Sequence, residues 1–250
     1  KHTRERMDAV NRQVEALFQR DSAVEKGLEK ESRSAYLQSS YIDKWAGFPL
    51  YQNTQTKYYS CGEEMFPDML EALRGAKHFI FLEYFIIEEG YMFNTILDIL
   101  EEKAKAGVDV RFIYDDVGSI NSISFGYYKK LQERGIPCVT FNPFKPLISV
   151  VMNNRDHRKI FVVDGYIGFT GGINLADEYI NKVKRFGYWK DTGVRIEGEA
   201  VWSLTAMFLE MWNYINRSTE DYSRFLPSVY REKEFTSDGF VQPYGDSPLD

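Results

Sequence analysis

The chain has 250 residues, of which 44% are hydrophobic and 27% charged, a composition that argues against extensive disorder and against a fibrous repeat. Its net charge of −6 argues against binding nucleic acid over the whole surface, because such proteins are usually basic, yet it leaves room for a local cationic pocket. No apolar run reaches the roughly 20 residues that span a bilayer, and no signal-peptide pattern opens the chain. Cys61 and Cys138 are far apart, which predicts two reduced thiols.

The first 48 residues predict a helical region ahead of the main domain. Apolar residues such as Val10, Val14, Leu17 and Phe18 recur there at helical spacing, in a charged segment without proline. Such helices lie either against a domain or on a membrane surface, and the pattern favours an ordinary solvent-facing helix. Gly-Phe-Pro at 47–49 interrupts the pattern.

From about residue 57, strand-like and helix-like segments alternate, with glycine at several short junctions. This rhythm predicts an α/β fold with a mostly parallel or mixed central sheet and helices on both of its faces. The predicted strands are 57–60, 78–87, 108–114, 136–141, 159–163, 167–170 and 192–196, and the predicted helices are 63–74, 93–106, 125–134, a stretch from about 175, and 200–215.

Two boundaries complete the predicted organisation. Residues 49–218 form the principal domain, because the alternating pattern persists until the end of the last predicted helix. Residues 219–250 become polar and proline-containing, and they carry no apolar pattern that would form a core. We therefore expect 219–250 to be a linker toward a second domain.

The segment 157–164, His-Arg-Lys-Ile-Phe-Val-Val-Asp, is the strongest candidate for chemistry. Residues two apart on a strand share a face, so His157 and Lys159 are expected to project together and Arg158 to point away. An imidazole beside an ammonium is a poor structural pair, since their like charges repel when both are protonated. The pair becomes useful if Lys159 binds an anion such as phosphate and keeps the imidazole neutral and nucleophilic.

A second group of candidates follows at 171–174 and 189–192. Gly171 and Gly172 would let the backbone approach a ligand closely at the start of a helix, although a tight turn is the simpler explanation. Asn174 adds a neutral donor for a phosphate oxygen. The carboxylate of Asp191 would fix the tautomer of the imidazole by accepting from Nδ1.

Three further acids are ambiguous. Glu83 and Asp115 would lie near the ends of parallel strands, where they could bind substrate hydroxyls or pair with an arginine. Asp164 follows the strand and has either a part in the chemistry or a structural role on backbone amides or a basic side chain. His78 precedes a buried strand and is expected to be structural.

His-x-Lys-x4-Asp at 157–164, Gly-Gly-x-Asn at 171–174 and Trp-Lys-Asp-Thr at 189–192 together resemble the signature of the phospholipase D superfamily. Wider stretches of the chain are similar to bacterial cardiolipin synthases, and the resemblance runs from about Tyr51 to the C-terminus. Those stretches are 81–86, 114–119, 164–174 and 242–248.

The resemblance implies a phosphatidyl transfer that condenses two phosphatidylglycerol molecules into cardiolipin and glycerol. It implies that His157 attacks phosphorus and becomes phosphatidylated, that Lys159 and Asn174 stabilise the phosphoryl oxygens, and that Asp191 orients the imidazole. Asp164 belongs to the same motif, and Gly171, Gly172, Glu83 and Asp115 are the remaining candidates for contact with substrate. The family needs neither a metal nor another cofactor.

The chain departs from the family in one respect, because such enzymes carry two of these motifs and only His157 fits here. We therefore expect the first catalytic half of a cardiolipin synthase, whose partner is a second phospholipase D-like half of the same parent chain. Resemblance places the parent protein at the cytoplasmic face of a bacterial cell membrane, held by an anchor outside this chain. Its substrate is an anionic phospholipid, and no nucleic-acid partner is expected.

Two alternatives remain open on the sequence. The chain could be a general phosphodiesterase or nuclease that forms a homodimer to bring two copies of His157 together, although its acidity argues against this. It could also be a non-catalytic module that binds lipid, although the intact set of candidate residues argues against decay.

Membrane contact is a further hypothesis. Cations that could attract anionic headgroups are Arg155, Arg158, Lys159, Lys182, Lys184, Arg185 and Lys190, although a solvated face explains them equally well. Apolar side chains that could insert at the same interface are Phe144, Leu147, Ile148, Val150 and Val151.

Overall fold

A computed structural model describes residues 12–143, 155–231, 234–237 and 239–245. Its strands form one mixed seven-stranded sheet, which confirms the predicted α/β class. The strands are β1 (Thr54–Tyr59), β2 (Phe79–Tyr84), β3 (Asp109–Asp115), β4 (Cys138–Phe141), β5 (Ile160–Val163), β6 (Ile167–Gly171) and β7 (Gly193–Gly198), in the spatial order β1-β7-β6-β5-β2-β3-β4.

The register of the central strands decides which residues meet. Strand β2 pairs with β3 in parallel and with β5 in antiparallel orientation, with Glu83 opposite Ile160. All six residues of β2 are buried, as its nearly continuous apolar and aromatic sequence predicts for a strand covered on both faces. The carboxyl ends of β2 and β3 and the amino end of β5 therefore lie at the same edge of the sheet.

Most helices occur where the hydrophobic pattern predicts them. Asp21 and Ser32 cap the first two by accepting backbone N–H groups with their side chains, and Gly47 in the left-handed region ends the second. The helices are α1 (Ser22–Glu31), α2 (Arg33–Ala46), α3 (Gly62–Gly75), α4 (Tyr91–Lys105), α5 (Tyr127–Glu133), α6 (Val201–Asn216) and α7 (Pro227–Tyr230).

The helix predicted from about residue 175 is wrong, because that stretch forms only a single 3-10 turn, Asp177–Ile180. The Asp177 carboxylate accepts the backbone N–H groups of Tyr91 and Met92 at 2.9 and 2.7 Å. Asp177 thus caps the start of α4, a helix distant in sequence, and does not begin a long helix of its own.

The chain divides into two compact units. Of the described residues, the first unit comprises 12–56, 165–167 and the described part of 196–245, and the second comprises 57–143, 155–164 and 168–195. In this division the described residues 12–56 and 196–245 belong to the same unit, while the domain boundaries at 48 and 218 stay a prediction. Every candidate site residue lies in the second unit.

Within the first unit, the C-terminal stretch is packed and is not the coreless tail that its composition suggested. Tyr222 and Phe225 are buried, and the ring of Phe235 lies 6.0 Å from that of Tyr166. Tyr51 exchanges two backbone hydrogen bonds with Val241, each 2.9 Å long. Aromatic residues spaced widely in an otherwise polar segment supply this packing, which a periodicity argument does not detect.

The N-terminal region also packs inside the first unit, as the favoured interpretation of its helical pattern predicts. Val14 is fully buried, and the ring of Phe18 lies 5.6 Å from Phe48 and 6.5 Å from Trp202. Both cysteines are free thiols. Among the described helices, none is long and apolar enough to cross a membrane.

Candidate active site

The segment that carries His157 and Lys159 lies immediately before β5, which begins at Ile160, one residue later than predicted. The imidazole of His157 is exposed, whereas Lys159 is buried with 5% of its surface accessible. The Lys159 ammonium donates a hydrogen bond to the backbone carbonyl of His157 at 2.7 Å. A buried cation is therefore bonded to the backbone of an exposed histidine.

Phe85, the residue after β2, contacts both members of this pair. Its ring lies 4.7 Å from the His157 ring in an edge-to-face arrangement, and the Lys159 ammonium lies 5.5 Å from its centroid. Sequence analysis did not single out Phe85, although it belongs to the 81–86 stretch that resembles cardiolipin synthases.

The position of Phe85 is fixed by its neighbours on the loop after β3. A Cβ atom at Gly118 would lie 2.4 Å from the Phe85 carbonyl oxygen, so only glycine allows this approach. The hydroxyl of Ser119 donates to the same carbonyl at 3.2 Å. These contacts hold Phe85 in position, with its ring beside His157.

Electrostatics favours a neutral imidazole above a charged ammonium. Partial burial lowers the pKa of His157 below 6.5, and the charge of Lys159 lowers it further, while Asp156, Asp115 and Asp191 oppose the shift. Burial lowers the pKa of Lys159 to about 8. At neutral pH His157 therefore retains a lone pair for attack and Lys159 retains its positive charge.

Arg158 points away from this pair, as the alternation of an extended chain predicts. Its Nε lies 2.6 Å from Glu83 Oε1 and 3.2 Å from Asp156 Oδ1. Glu83 is completely buried, and burial raises its pKa well above the usual range despite the attraction of Arg158. We infer that Glu83 carries a proton, which relieves the crowding of two carboxylates around one guanidinium.

Asp115 fixes the chain on the other side of His157. Its carboxylate accepts the backbone N–H groups of Gly118 at 2.8 Å and Asp156 at 3.0 Å, and it pairs with Arg155 at 3.2 Å. Sequence analysis left Glu83 and Asp115 open between binding substrate and pairing with arginine. Both side chains are fully buried and face arginine, so they hold residues 155–158 in place and offer no surface to a ligand.

Asp164 lies at the far end of β5 from His157. Its carboxylate accepts three backbone N–H groups, those of Lys77, His78 and Phe79, at 2.7–2.9 Å. The structure therefore does not bring Asp164 to the imidazole. Its contacts are the structural alternative, a carboxylate on backbone amides, and they tie the end of β5 to the start of β2.

The two glycines make room for protein rather than for an incoming ligand. A Cβ atom at Gly172 would lie 2.0 Å from Asp191 Oδ1, and one at Gly171 would lie 2.4 Å from the Thr192 carbonyl oxygen. Gly171 also has a φ of 145°, which favours glycine. The glycines thus let the chain at 191–193 pass close to the end of β6.

Asn174 is buried, and its side-chain amide forms hydrogen bonds with other residues of the protein. Its Oδ1 accepts the backbone N–H of Ile86 and its Nδ2 donates to the Tyr179 hydroxyl, both at 2.9 Å. These contacts attach the turn after β6 to the chain next to Phe85. Asn174 therefore acts on the site through the position of that chain.

Asp191 influences His157 through space. Its Oδ1 accepts the backbone N–H of Thr192 at 2.8 Å, and within the described part of the chain no hydrogen bond joins Asp191 to His157. The charge of Asp191 nevertheless raises the pKa of both His157 and Lys159. The expected orienting hydrogen bond is absent, and a distant electrostatic effect takes its place.

The predicted cationic cluster separates into two sets. Arg155 and Arg158 are half-buried and face Asp115, Glu83 and Asp156, whereas the lysines and arginine of 182–190 are exposed. The apolar residues proposed for membrane insertion, Phe144, Leu147, Ile148, Val150 and Val151, lie outside the described residues. In the described ranges no group of three or more His, Cys, Asp or Glu side chains is arranged to hold a metal ion.

Comparison with known proteins gives a family for this arrangement. Residues 69–212 match the family described as cardiolipin synthase, PLD-like domain. A cardiolipin synthase of Alkalihalophilus pseudofirmus is 42% identical over 202 residues, which cover 80% of this chain and 39% of that protein. An uncharacterized protein of Streptococcus mutans is 45% identical over 237 residues, covering 95% of this chain and 51% of that protein.

A solved structure supports the fold. The phosphatidylserine synthase of Haemophilus influenzae superimposes with a TM-score of 0.50 at 18% sequence identity, covering 78% of this chain and 44% of that one. The chain spans about half, or less, of the length of the relatives that it matches.

Proposed function

Because the chain belongs to the cardiolipin synthase, PLD-like domain family, we propose that it supplies one half of the active site of a phosphatidyltransferase that makes cardiolipin from two phosphatidylglycerol molecules. The observation that carries the proposal is the accessible His157 imidazole, with its lowered pKa, above the buried Lys159 ammonium. A neutral imidazole is a nucleophile, and a fixed cation attracts a phosphodiester.

In the first step, one ring nitrogen of His157 attacks the phosphorus of phosphatidylglycerol. A P–N bond forms and the P–O bond to the headgroup glycerol breaks, so that glycerol leaves with a proton from a general acid. In the second step, the hydroxyl of another phosphatidylglycerol gives up its proton and attacks the same phosphorus. The P–N bond breaks, His157 is regenerated and cardiolipin is formed.

Lys159 and Asp191 have electrostatic roles in this proposal. The Lys159 ammonium stabilises the negative charge that develops on the phosphoryl oxygens, because it is fixed before the reaction and poorly screened by water. As His157 becomes positively charged during attack, the negative charge of Asp191 stabilises it. Both effects are electrostatic and need no hydrogen bond to the ring.

The general acid and base of both steps come, in this proposal, from a second phospholipase D-like half. Among the described residues His157 is the only histidine at the candidate site, since His78 lies at the opposite end of β2. The reaction would take place on an anionic bilayer at the cytoplasmic face, where both substrates reside.

The proposal that this chain supplies the nucleophile and a second half supplies the general acid can be tested on the chain alone. The test uses a substrate whose leaving group needs no proton. A phosphatidyl ester of p-nitrophenol releases a stable anion at neutral pH, so His157 can be phosphatidylated without the second half. We expect a burst of about one p-nitrophenolate per chain, without rapid turnover. Intact-mass spectrometry should show a matching phosphatidyl adduct that is acid-labile, as P–N bonds are.

Two variants show whether the burst depends on His157. His157→Ala should abolish both the burst and the adduct, whereas His78→Ala, the matched control at another exposed histidine, should retain them. Wild-type chain that binds the ester but shows neither burst nor adduct would contradict the mechanism. Fast turnover of phosphatidylglycerol by the lone chain would contradict the need for a second half.

A further inference from the structure

The segment 182–190, here called the rim loop, is the most exposed stretch of mixed cationic and apolar character in the second unit. Eight of its nine residues are exposed. Three are large and apolar, namely Val183, Phe186 and Tyr188, with 51%, 79% and 65% of their surface accessible. Its cations are Lys182, Lys184, Arg185 and Lys190, and it contains no acid, although the whole chain has a net charge of −6.

The base of the rim loop is attached to the candidate site. The Asn181 side chain accepts the backbone N–H of Trp189 at 2.7 Å and donates to its carbonyl at 2.8 Å. The ring of Trp189 lies 5.0 Å from that of Tyr179, whose hydroxyl accepts from Asn174. The residue after the loop is Asp191, so the loop projects from the rim of the site while both of its ends are held.

Two cations of the rim loop contact other side chains of the protein, and two do not form an ion pair with any described residue. Arg185 pairs with Glu88 and Glu178 at 3.2 and 3.3 Å, and Lys182 lies over the Tyr91 ring at 3.8 Å. Lys184 and Lys190 make no ion pair with any described residue. Two positive charges therefore remain available beside exposed aromatic rings.

A second loop near His157 also exposes apolar side chains. The chain after β3 exposes Ile120 and Phe125, with 42% and 87% of their surface accessible. This loop begins at Asp115 and includes Ser119, which donates to the carbonyl of Phe85 beside His157. Single exposed apolar residues are common on proteins, but several of them interspersed with cations in one short segment indicate an interaction surface.

We propose that the rim loop docks on a bilayer surface that contains anionic phospholipid. Phe186, Tyr188 and Val183 enter the headgroup region, and Lys184 and Lys190 bind lipid phosphates. A bilayer fits better than an acidic protein because aromatic and aliphatic side chains alternate here with cations, and each kind has a partner at a membrane interface. The inference rests on the proposed function, and it explains how a lipid phosphodiester would reach His157 from the membrane plane.

Vesicle flotation of the full chain tests this surface without any turnover. Vesicles of phosphatidylglycerol and phosphatidylcholine are compared with vesicles of phosphatidylcholine alone, and phosphate-buffered samples without lipid provide the baseline. We expect Phe186→Ser with Tyr188→Ser to weaken partitioning at least tenfold. Lys184→Gln and Lys190→Gln should each weaken it about fivefold on anionic vesicles only, and high salt should abolish the difference.

The matched control is Tyr41→Ser with Trp45→Ser on α2, because these aromatics are similarly exposed, at 66% and 68%. The proposal predicts that this control partitions like the wild type. Unchanged flotation of the rim-loop variants overturns the proposal. Equal flotation of the wild-type chain on anionic and on phosphatidylcholine vesicles also overturns it. Rim-loop variants that float normally but lose cardiolipin formation with a second half would instead assign the loop to contact between halves.

The two proposals fail in different ways. A chain that floats through its rim loop but gives no p-nitrophenolate burst retains the docking surface and loses the phosphatidyltransferase mechanism. A chain that gives the burst with a detergent-dispersed ester but floats independently of the rim loop retains the mechanism and loses the docking surface.

Discussion

The two ends of strand β5 carry charged residues of one sequence motif in opposite situations. At the carboxyl end, buried Asp164 accepts three backbone N–H groups and its hydrogen-bonding capacity is largely used. At the amino end, buried Lys159 has one short hydrogen bond to a carbonyl, and its pKa falls to about 8. Both residues are buried and lie within seven positions of His157. The Asp164 carboxylate has three hydrogen-bond donors around it, whereas the Lys159 ammonium donates a single hydrogen bond.

This contrast distinguishes a residue that stabilises from one that is held ready for chemistry. A buried charge with many donors lowers the free energy of the folded state, whereas a buried charge with few partners raises it. The protein keeps Lys159 charged at a cost in stability, which is the usual relation between active sites and stability. Substitutions at the two ends of β5 should therefore change stability in opposite directions.

The largest effect is expected for Asp164→Ala. Removing the carboxylate leaves three backbone N–H groups without their acceptor, and only that of Phe79 is fully buried. A buried unsatisfied donor costs about 1–3 kcal/mol and a part-buried one costs less, so the free energy of unfolding should fall by about 3 kcal/mol. Asp164→Asn, which keeps one oxygen acceptor, should lose less. Urea denaturation followed by circular dichroism measures both.

Asp98→Ala provides the control for this experiment. Asp98 is a surface acid, with a 76% accessible side chain and an ion pair to Arg134, and such pairs contribute about 0–1 kcal/mol. If Asp164→Ala were no more destabilised than Asp98→Ala, the structural assignment of Asp164 would be wrong.

Lys159→Met should act in the opposite direction on stability and strongly on activity. Replacing a buried ammonium by an apolar side chain of similar length should raise the free energy of unfolding at pH 7 by about 1–2 kcal/mol, after allowance for solvent screening. The p-nitrophenolate burst should slow by about 10²-fold or more, because the cation that stabilises the phosphoryl oxygens is lost. Denaturation and stopped-flow kinetics on the same samples check both effects.

The pH dependence of this gain follows from the lowered pKa. Between about 8 and 10.5, the unfolded chain holds a proton on Lys159 that the folded chain has lost, so wild-type stability rises with pH across that range. The advantage of Lys159→Met should therefore be full below pH 8 and shrink as pH increases. Lys26→Met, at an exposed position on α1, should show neither the gain nor its pH dependence.

The burst rate itself should depend on pH in a bell-shaped manner. It should rise with pH as His157 loses its proton, with a midpoint below 6.5, and fall about tenfold by pH 9 as Lys159 loses its charge. Titration of the His157 ring by NMR gives the first midpoint directly. In Lys159→Met that midpoint should move upward, and a downward shift would show that Lys159 does not act on the ring through its charge.

Much of the fold could be predicted because its signals are local. The apolar run of β2, the amphipathic α3 and the glycine-containing junctions follow from short-range periodicity, and they were found within a few residues. The turn at Asp177–Ile180 was missed because the Asp177 carboxylate binds the start of a helix some 85 residues away in sequence, a contact that no local pattern encodes.

The candidate site was predictable in its residue types and only partly in their roles. The spacing of His157 and Lys159 singled out the pair on which the proposed mechanism rests. The same spacing could not show that Glu83 and Asp115 face arginines, or that Gly172 makes room for Asp191, because these are contacts between distant segments. Burial and hydrogen-bond partners, which depend on the whole fold, separate structural acids from chemical ones.

The smallest expected effect concerns Phe85, whose ring contacts both His157 and Lys159. Phe85→Leu keeps an apolar side chain but removes the ring that meets His157 edge-to-face at 4.7 Å and lies 5.5 Å from the Lys159 ammonium. Such aromatic and cation–π contacts contribute about 0.5–1.5 kcal/mol, so the burst should slow about three- to tenfold while the fold remains. Phe85→Tyr retains a ring and should recover most of the rate. Equal slowing in both variants would mean that space beside His157, and not the aromatic face, is what Phe85 provides.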